Sequence, residues 1–265
     1  MTTTPEPVNL DLVIGTIREW QAYTAEHSAP DPEPGSALAS DSSLSPHHNV
    51  GHAAWSGFVQ AVDHLHALQA LIIEAHMLHT YAPFGLVRAG LDNAALAVWL
   101  LAPVDQKERL QRRLHLAYED VRQSEAAHAL LGRDGPQPKT PHVEQRRRIA
   151  LLARSLGVNG GAVGGNWTGY ERIVRLAAAD ASLDPDLVVL IWRSCSGFAH
   201  GRQWASLSLL KREISPHSTD SDVRTVRFTA SIEQVLLMAG LAASINTRAR
   251  ALYLERCAAP TAAAA

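Results

Sequence analysis

The spacing of apolar residues constrains the fold of this 265-residue chain more than any other feature. Between about residues 51 and 79 the large apolar side chains recur every three or four positions, the period of an α-helix with one buried face. The same period recurs in segments that start near Val8, Pro83, Gln106, His142, Tyr170, Asp186 and Ser231. No convincing run of strands is found. The sequence therefore predicts an all-α fold, a mostly antiparallel bundle of eight or nine helices.

Proline, glycine and capping residues indicate where these helices begin and end. Pro83 and Pro103 bracket a very apolar helix, Asp105 can cap the next one, and Gly132 follows the end of that helix. The segment from about 26 to 50 is rich in proline, serine and aspartate, which predicts a long surface loop. The polar segment 212–228 is typical of a short hairpin or an extended piece. We expect one all-helical domain over residues 1–256 and a disordered tail over 257–265.

Composition excludes several classes of protein. Hydrophobic residues make up 46% of the chain and charged residues 19%, which is typical of an ordered protein. The net charge of −2 gives no global basic field for DNA, so an RNA contact would be local, as on the arginine-rich segment 144–155. Two cysteines are too few for a disulfide framework or a structural zinc site. Without a signal peptide or an apolar stretch of about 20 residues, the sequence predicts a cytoplasmic protein with no membrane contact.

The stretch RSCSGFAHG, residues 193–201, places polar and small residues in an otherwise apolar helix. At about 100° per residue, Arg193 and His200 share one helix face with Ser196 and Gly197 between them. Glycine inside a helix costs about 1 kcal/mol relative to alanine, so Gly197 indicates that another backbone or a ligand approaches closely. Two interpretations stay open. One is an internal salt bridge beside a hydrogen-bonded histidine; the other is an anion site where Arg193 holds a phosphate and His200 moves a proton.

The six residues between Arg193 and His200 match the spacing of a known arginine–histidine signature, so this stretch resembles the HEPN superfamily. Members are helical proteins, and many are metal-independent ribonucleases. The resemblance covers about residues 170–256 and implies a HEPN-like C-terminal half. It also implies that Arg193 and His200 meet their counterparts across a homodimer and cleave RNA through its 2′-hydroxyl. A wider likeness, carried by GLVRAGLDNAALAVWLLAPVDQKERLQRR and WRSCSGFAHGRQW, is to a group of actinobacterial all-helical proteins and supports the fold rather than an activity.

Arg88 and Asp92 lie four residues apart on one face of the apolar helix that begins near Pro83. This spacing predicts an ion pair within the helix. The functional alternative places the pair against the Arg193 face, where Asp92 would orient His200 or Arg88 would contact a second phosphate. Ser196 and Arg202 complete the expected binding residues, which are Ser196, Arg88, Asp92 and Arg202.

Carboxylate–histidine pairs on two helices suggest a further alternative. Asp63 and His66 form one such pair and Glu125 and His128 the other, with Glu74 as an additional carboxylate. Two pairs of this kind are half of the ligand pattern of dinuclear metal sites in helical bundles. The less favoured prediction is therefore a metal-dependent oxidoreductase, and solvated or interhelical polar pairs are the simpler interpretation. The principal hypothesis requires no cofactor.

Three functional classes follow from these patterns. They are a HEPN-like endoribonuclease or other phosphate-recognising protein, a non-enzymatic scaffold or ligand-binding protein, and the metal-dependent oxidoreductase. We expect a homodimer in which Ser196, Gly197 and Gly201 permit close approach and Trp204 supplies an apolar anchor. Contact of the same small residues with Ala67 and Ala70 of one chain is the alternative.

Overall fold

The computed structural model describes residues 10–132, 136, 138–214 and 225–260. This part of the chain forms eleven α-helices and one two-stranded sheet, so the all-α prediction is confirmed at the level of fold class. In chain order the helices are α1 (Leu10–Glu26), α2 (Ala37–Leu44), α3 (Val50–Gln69), α4 (Ala82–Leu101), α5 (Gln106–Leu130), α6 (His142–Ser155), α7 (Gly160–Val163), α8 (Tyr170–Asp180), α9 (Pro185–Ala199), α10 (Gln203–Leu209) and α11 (Ile232–Cys257). The sequence analysis expected eight or nine helices, and the short helices α2, α7 and α10 account for the larger number.

The polar segment after α10 forms a hairpin in the described residues. Strand β1 (Lys211–Ile214) pairs antiparallel with β2 (Val226–Thr229), and Arg212 lies opposite Phe228 in the register. Val226 and Phe228 are half-buried, whereas Arg227 and Thr229 are exposed. One face of β2 is therefore covered, as expected for a strand whose side chains alternate between two faces.

The segment 26–50, predicted as a long surface loop, has no helix or strand over residues 27–36 but contains α2 and a 3₁₀ turn at Pro46–His48, where the prediction is wrong. Ser36 caps α2 by accepting a hydrogen bond from the backbone N–H of Ala39 over 3.2 Å. Leu38 and Asp41 of α2 are completely buried. Proline and serine frequency indicated a loop, whereas the capping serine and two buried side chains stabilise a helix.

Two other boundaries differ from the sequence prediction. Helix α3 ends at Gln69 rather than near residue 79, because the chain leaves it through a π-helical turn, Ala70–Glu74. His76 then has a φ of 52°, a left-handed conformation that a right-handed helix cannot contain. At the other end of the chain, α11 includes Cys257, which is buried, so the expected tail does not begin there. Residues 261–265 of that tail lie outside the described residues.

The chain divides into two compact units. The first unit comprises residues 1–28, 57–98 and 170–250, and the second comprises 29–56, 99–169 and 251–265. Helices α3, α4 and α11 each contribute residues to both units. The expectation of one domain over residues 1–256 stays a prediction.

In the first unit, α9 packs against α8 and α10. Its N-cap is Asp184, whose carboxylate accepts hydrogen bonds from the backbone N–H groups of Asp186 and Leu187. The apolar side of α9 is buried, and the ring of Phe198 stacks on Phe84 of α4 with centroids 4.1 Å apart. This packing fixes the axis of α9 and leaves its opposite side available to solvent.

In the second unit, α5 packs against α6 and α7. Asp105 caps α5 by accepting from the backbone N–H of Glu108, and Gly132 follows the helix with a φ of 69°, so both predicted boundaries are confirmed. The buried Arg109 of α5 donates two hydrogen bonds, 2.7 and 2.9 Å long, to the carboxylate of Asp41. This ion pair joins α2 to α5.

Helix α4 is, in the described ranges, the one helix long and apolar enough to cross a membrane by length and composition. The sequence predicted no apolar stretch of this length. Of its most apolar 18-residue window, 61% is buried within the protein, which is also what the core helix of a folded protein shows. The cytoplasmic location stays a prediction.

Candidate functional site

Arg193 lies on the solvent side of α9 and forms an ion pair with α8. Its Nη2 donates to Oε2 of Glu171 over 2.6 Å. The Arg193 side chain is 58% exposed and that of Glu171 41%, so the pair lies at the surface. The sequence analysis expected either an internal salt bridge or an anion site. The structure shows a salt bridge, but an exposed one, and it contains neither Arg88 nor Asp92, which the functional alternative placed against Arg193.

His200 is the C-cap of α9 rather than a residue within the helix. The backbone N–H of Gly201 donates to the carbonyl of Phe198, and that of Arg202 donates to the carbonyl of Gly197 over 2.8 Å. These two bonds form a Schellman motif, which requires the left-handed conformation that Gly201 adopts with a φ of 62°. The side chains of His200 and Arg202 are consequently exposed where α9 ends, and Ser196 is half-buried one turn earlier.

Gly197 meets helix α10 of the same chain. A Cβ atom at this position would lie 2.8 Å from Cβ of Ala205 and 3.1 Å from the ring of Trp204. The predicted close approach is therefore confirmed, and its partner is α10 rather than Ala67, Ala70 or a second copy. The homodimer stays a prediction, but this surface of Gly197 is already covered.

Arg88 and Asp92 form the predicted ion pair within α4, with 3.3 Å between Nε and Oδ2. The other carboxylate oxygen of Asp92 accepts a hydrogen bond from Nε1 of Trp192 over 2.6 Å. The guanidinium of Arg88 also lies 4.9 Å from the centre of the Trp192 ring. The pair thus meets α9 through Trp192, and not through Arg193 or His200.

Burial changes the titration of two groups in this cluster. Desolvation raises the pKa of Asp92, although the hydrogen bond from Trp192 and the charge of Arg88 oppose the rise. Burial also raises the pKa of Cys195 to about 12, so its thiol stays protonated and is a poor nucleophile. A tryptophan on the apolar side of a helix needs a partner for its N–H group. That requirement is the signal that could have predicted the contact with Asp92.

The expected metal ligands do not form a site in the described residues. They divide between the two units, with Asp63, His66 and Glu74 in the first and Glu125 and His128 in the second. Glu125 is paired with Arg146, whose hydrogen bond lowers the pKa of Glu125. Nδ1 of His128 contacts the carbonyl oxygen of Ser124 at 2.8 Å. Within the described part of the chain, no group of three or more His, Cys, Asp and Glu side chains is arranged to hold a metal ion.

The arginine-rich segment 144–155 is largely paired with carboxylates. Arg146 pairs with Glu125, and both Arg147 and Arg148 pair with Glu144. A nucleic-acid backbone would have to compete with these carboxylates. The arrangement is that of a solvated helix face.

A groove of about 660 Å³ lies next to the end of α9, in the first unit. We call it the α10 groove; it is lined by Tyr81, Phe198, Gly201, Gln203, Ser206, Leu207, Val226 and Phe228. The sequence analysis did not find it, because its walls come from four separate segments of the chain. No family model, no curated protein and no solved structure matches this chain.

Proposed function

We propose that the end of α9 binds RNA and that Arg193 and His200 cleave it in a homodimer without a metal ion. One observation carries the proposal: both side chains are exposed on one helix and its C-cap, and none of the core packing encloses them. A polymeric substrate requires such access. The proposal also draws on the resemblance of the Arg193–His200 spacing to the HEPN signature.

The ion pair of Arg193 with Glu171 does not prevent phosphate binding. Exposed ion pairs contribute only about 0–1 kcal/mol, because water screens the charges and two long side chains lose entropy. A phosphodiester offers Arg193 two oxygens in the geometry that a guanidinium binds best. Glu171 would have to turn away to avoid repelling the phosphate. Replacing Glu171 by glutamine should therefore strengthen RNA binding.

The proposed reaction is a transesterification within the RNA. His200 removes the proton of the 2′-hydroxyl, and the resulting oxygen attacks the adjacent phosphorus. The bond from phosphorus to the 5′-oxygen breaks, and His200 of the second copy donates a proton to that oxygen. Arg193 balances the negative charge that accumulates on the non-bridging oxygens. The products are a 2′,3′-cyclic phosphate and a 5′-hydroxyl.

Cleavage of a labelled oligoribonucleotide in the presence of a chelator tests the proposal. We expect His200→Ala to reduce the rate by at least about 100-fold, the usual contribution of general acid–base catalysis. Arg193→Ala should reduce it by at least about 100-fold as well, because it removes charge stabilisation of the transition state. Matched controls are His52→Ala and Arg175→Ala: His52 is an exposed histidine, and Arg175 is an α8 arginine in an exposed pair with Asp186. Cleavage that needs a metal ion, or that persists in His200→Ala, would contradict it.

Sedimentation of the wild-type chain completes this test, because the composite site needs two copies. A monomer that cleaves RNA would remove the dimer from the proposal. A dimer without cleavage would favour the alternative of a non-enzymatic ligand-binding protein.

A further inference from the structure

We infer that the α10 groove binds a single nucleobase, with the phosphate of the same nucleotide directed towards Arg202. This inference does not require cleavage, because base binding and phosphodiester chemistry depend on different side chains. Its volume of about 660 Å³ lies in the range of roughly 300–1,000 Å³ found for small-molecule sites. The groups that line the groove favour a nucleobase as its occupant.

Aromatic rings form three parts of the wall. The ring of Phe198 stacks on that of Phe84, with centroids 4.1 Å apart and planes 24° from parallel. Tyr81 lies 6.3 Å from Phe198 and is 47% exposed, so its ring is available to a ligand. Phe228 supplies the third ring from β2. Flat rings in fixed positions favour a flat ligand, because bases stack on aromatic side chains.

Strand β2 presents one defined face to the groove. Val226 and Phe228, two residues apart, line the groove and are half-buried, whereas Arg227 and Thr229 between and beyond them are exposed. Alternation of side chains along a strand places these two pairs on opposite faces. Residues of the second pair therefore serve as controls on the same strand.

Polar groups in the groove are neutral. Gln203 and Ser206 lie three residues apart on α10 and both line the groove. The glutamine amide offers two donors and one acceptor, and the serine hydroxyl donates and accepts. Among the residues that the structure describes, no charged side chain lines the groove. This combination favours a neutral ring with hydrogen-bonding edges over a charged ring or an aliphatic chain.

A cationic residue is adjacent in sequence to the lining of the groove. Arg202 lies in sequence between two lining residues, Gly201 and Gln203, and its side chain is exposed. As N-cap of α10 it makes no side-chain capping bond. A guanidinium in this position can bind the phosphate attached to the sugar of a base in the groove. Base and phosphate together define a nucleotide.

A free nucleotide and a nucleotide within RNA share this chemistry, and titration calorimetry of the full chain distinguishes the two sources. The probes are the four ribonucleoside 5′-monophosphates, ribose 5-phosphate, and a short oligoribonucleotide measured with the His200→Ala protein. We expect at least one monophosphate to bind at least about tenfold more tightly than ribose 5-phosphate, because only it carries a base. Tighter binding of the oligoribonucleotide than of any monophosphate indicates RNA as the source, and equal binding indicates a free nucleotide.

Variants assign the binding to the groove. Phe228→Leu preserves apolar volume but removes the ring, and Gln203→Ala removes the amide; each should weaken monophosphate binding by about tenfold. Thr229→Ala on the opposite face of β2 should leave binding unchanged, and thermal unfolding checks that all three variants fold. Equal affinity for ribose 5-phosphate and the monophosphates, no nucleotide binding, or an unaffected Phe228→Leu variant would overturn the inference. Cleavage that persists without base binding would overturn this inference and leave the proposed function intact. Base binding without cleavage would support this inference and contradict the proposed function.

Discussion

Trp192 donates its indole N–H to Oδ1 of Asp92 over 2.6 Å, and this bond joins α9 to α4 within the first unit. Adjacent helix residues point about 100° apart, so fixing Trp192 against α4 turns Arg193 away from it. Arg193 consequently reaches Glu171 of α8 at the surface. A partly buried hydrogen bond on one side of α9 thus determines that Arg193 is exposed on the other side.

Removing this donor should destabilise the protein. Trp192→Phe retains a ring but leaves Oδ1 of Asp92 without its partner, and such a loss costs about 1–3 kcal/mol. Urea unfolding measures the change. Trp204→Phe is the control, because Trp204 is 47% exposed and the replacement keeps a ring against Gly197. Equal losses in the two variants would show that the bond to Asp92 is unimportant.

Asp92 should make stability depend on pH. Burial raises its pKa in the folded protein above the ordinary value of 3.8, so folding favours the protonated carboxyl. The stability that this group contributes is present below the unfolded pKa and is lost as the pH rises through the folded pKa. Asp92→Asn cannot titrate. We therefore expect the free energy of unfolding of the variant, relative to wild type, to increase from pH 4 upwards and then become constant.

The groups around Asp92 permit the pH dependence of stability to be assigned to this carboxyl. Arg88 faces Asp92 from α4, and Trp192 faces it from α9. The thiol of Cys195, also on α9, has a pKa of about 12. Urea unfolding between pH 4 and 8 gives the comparison, with Asp63→Asn as an exposed control. A difference that is constant with pH, or that falls as the pH rises, would contradict the expectation.

The buried pair of Asp41 and Arg109 should be the most sensitive charged contact of the second unit. Both side chains are at most 3% exposed, so Asp41→Ala leaves an uncompensated buried charge and should cost about 3–5 kcal/mol. Asp186→Ala, which breaks an exposed pair with Arg175, should cost only about 0–1 kcal/mol. The double variant Asp41→Leu with Arg109→Met should recover much of the loss, because it removes both charges. Chemical unfolding of the wild type, the two single variants and the double variant measures these three changes in the free energy of unfolding.

Two glycines in helices should respond oppositely to alanine. Gly197→Ala forces Cβ against Ala205 of α10, and overpacking of this kind costs about 1–3 kcal/mol. Gly85 in α4 has no atom within 4 Å of an added Cβ, so Gly85→Ala should stabilise the protein by about 0.5–1 kcal/mol. Thermal unfolding of the two variants shows whether each substitution lowers or raises the stability of the protein. A stabilised Gly197→Ala protein would show that α10 is free to move away.

Features that depend on neighbouring residues were determined by the sequence alone. Asp105 caps α5 and Gly132 follows its end because capping bonds and left-handed turns involve residues only a few positions apart. The ion pair of Arg88 with Asp92 follows in the same way from helical spacing. Apolar periodicity sufficed for the all-α class, because each helix must bury one face.

Contacts between distant segments were decided only by the tertiary structure. Trp192 is 100 residues from Asp92, and Asp41 is 68 residues from Arg109. Periodicity indicates which face of a helix is buried, but it does not indicate which helix covers that face or what polar atom lies there. The α10 groove could not be predicted for the same reason, because its lining residues are distant in sequence and extend from Tyr81 to Phe228. The composition of residues 26–50 likewise did not predict α2. The burial of α2 depends on contacts with α5, which lies more than 60 residues later in the chain.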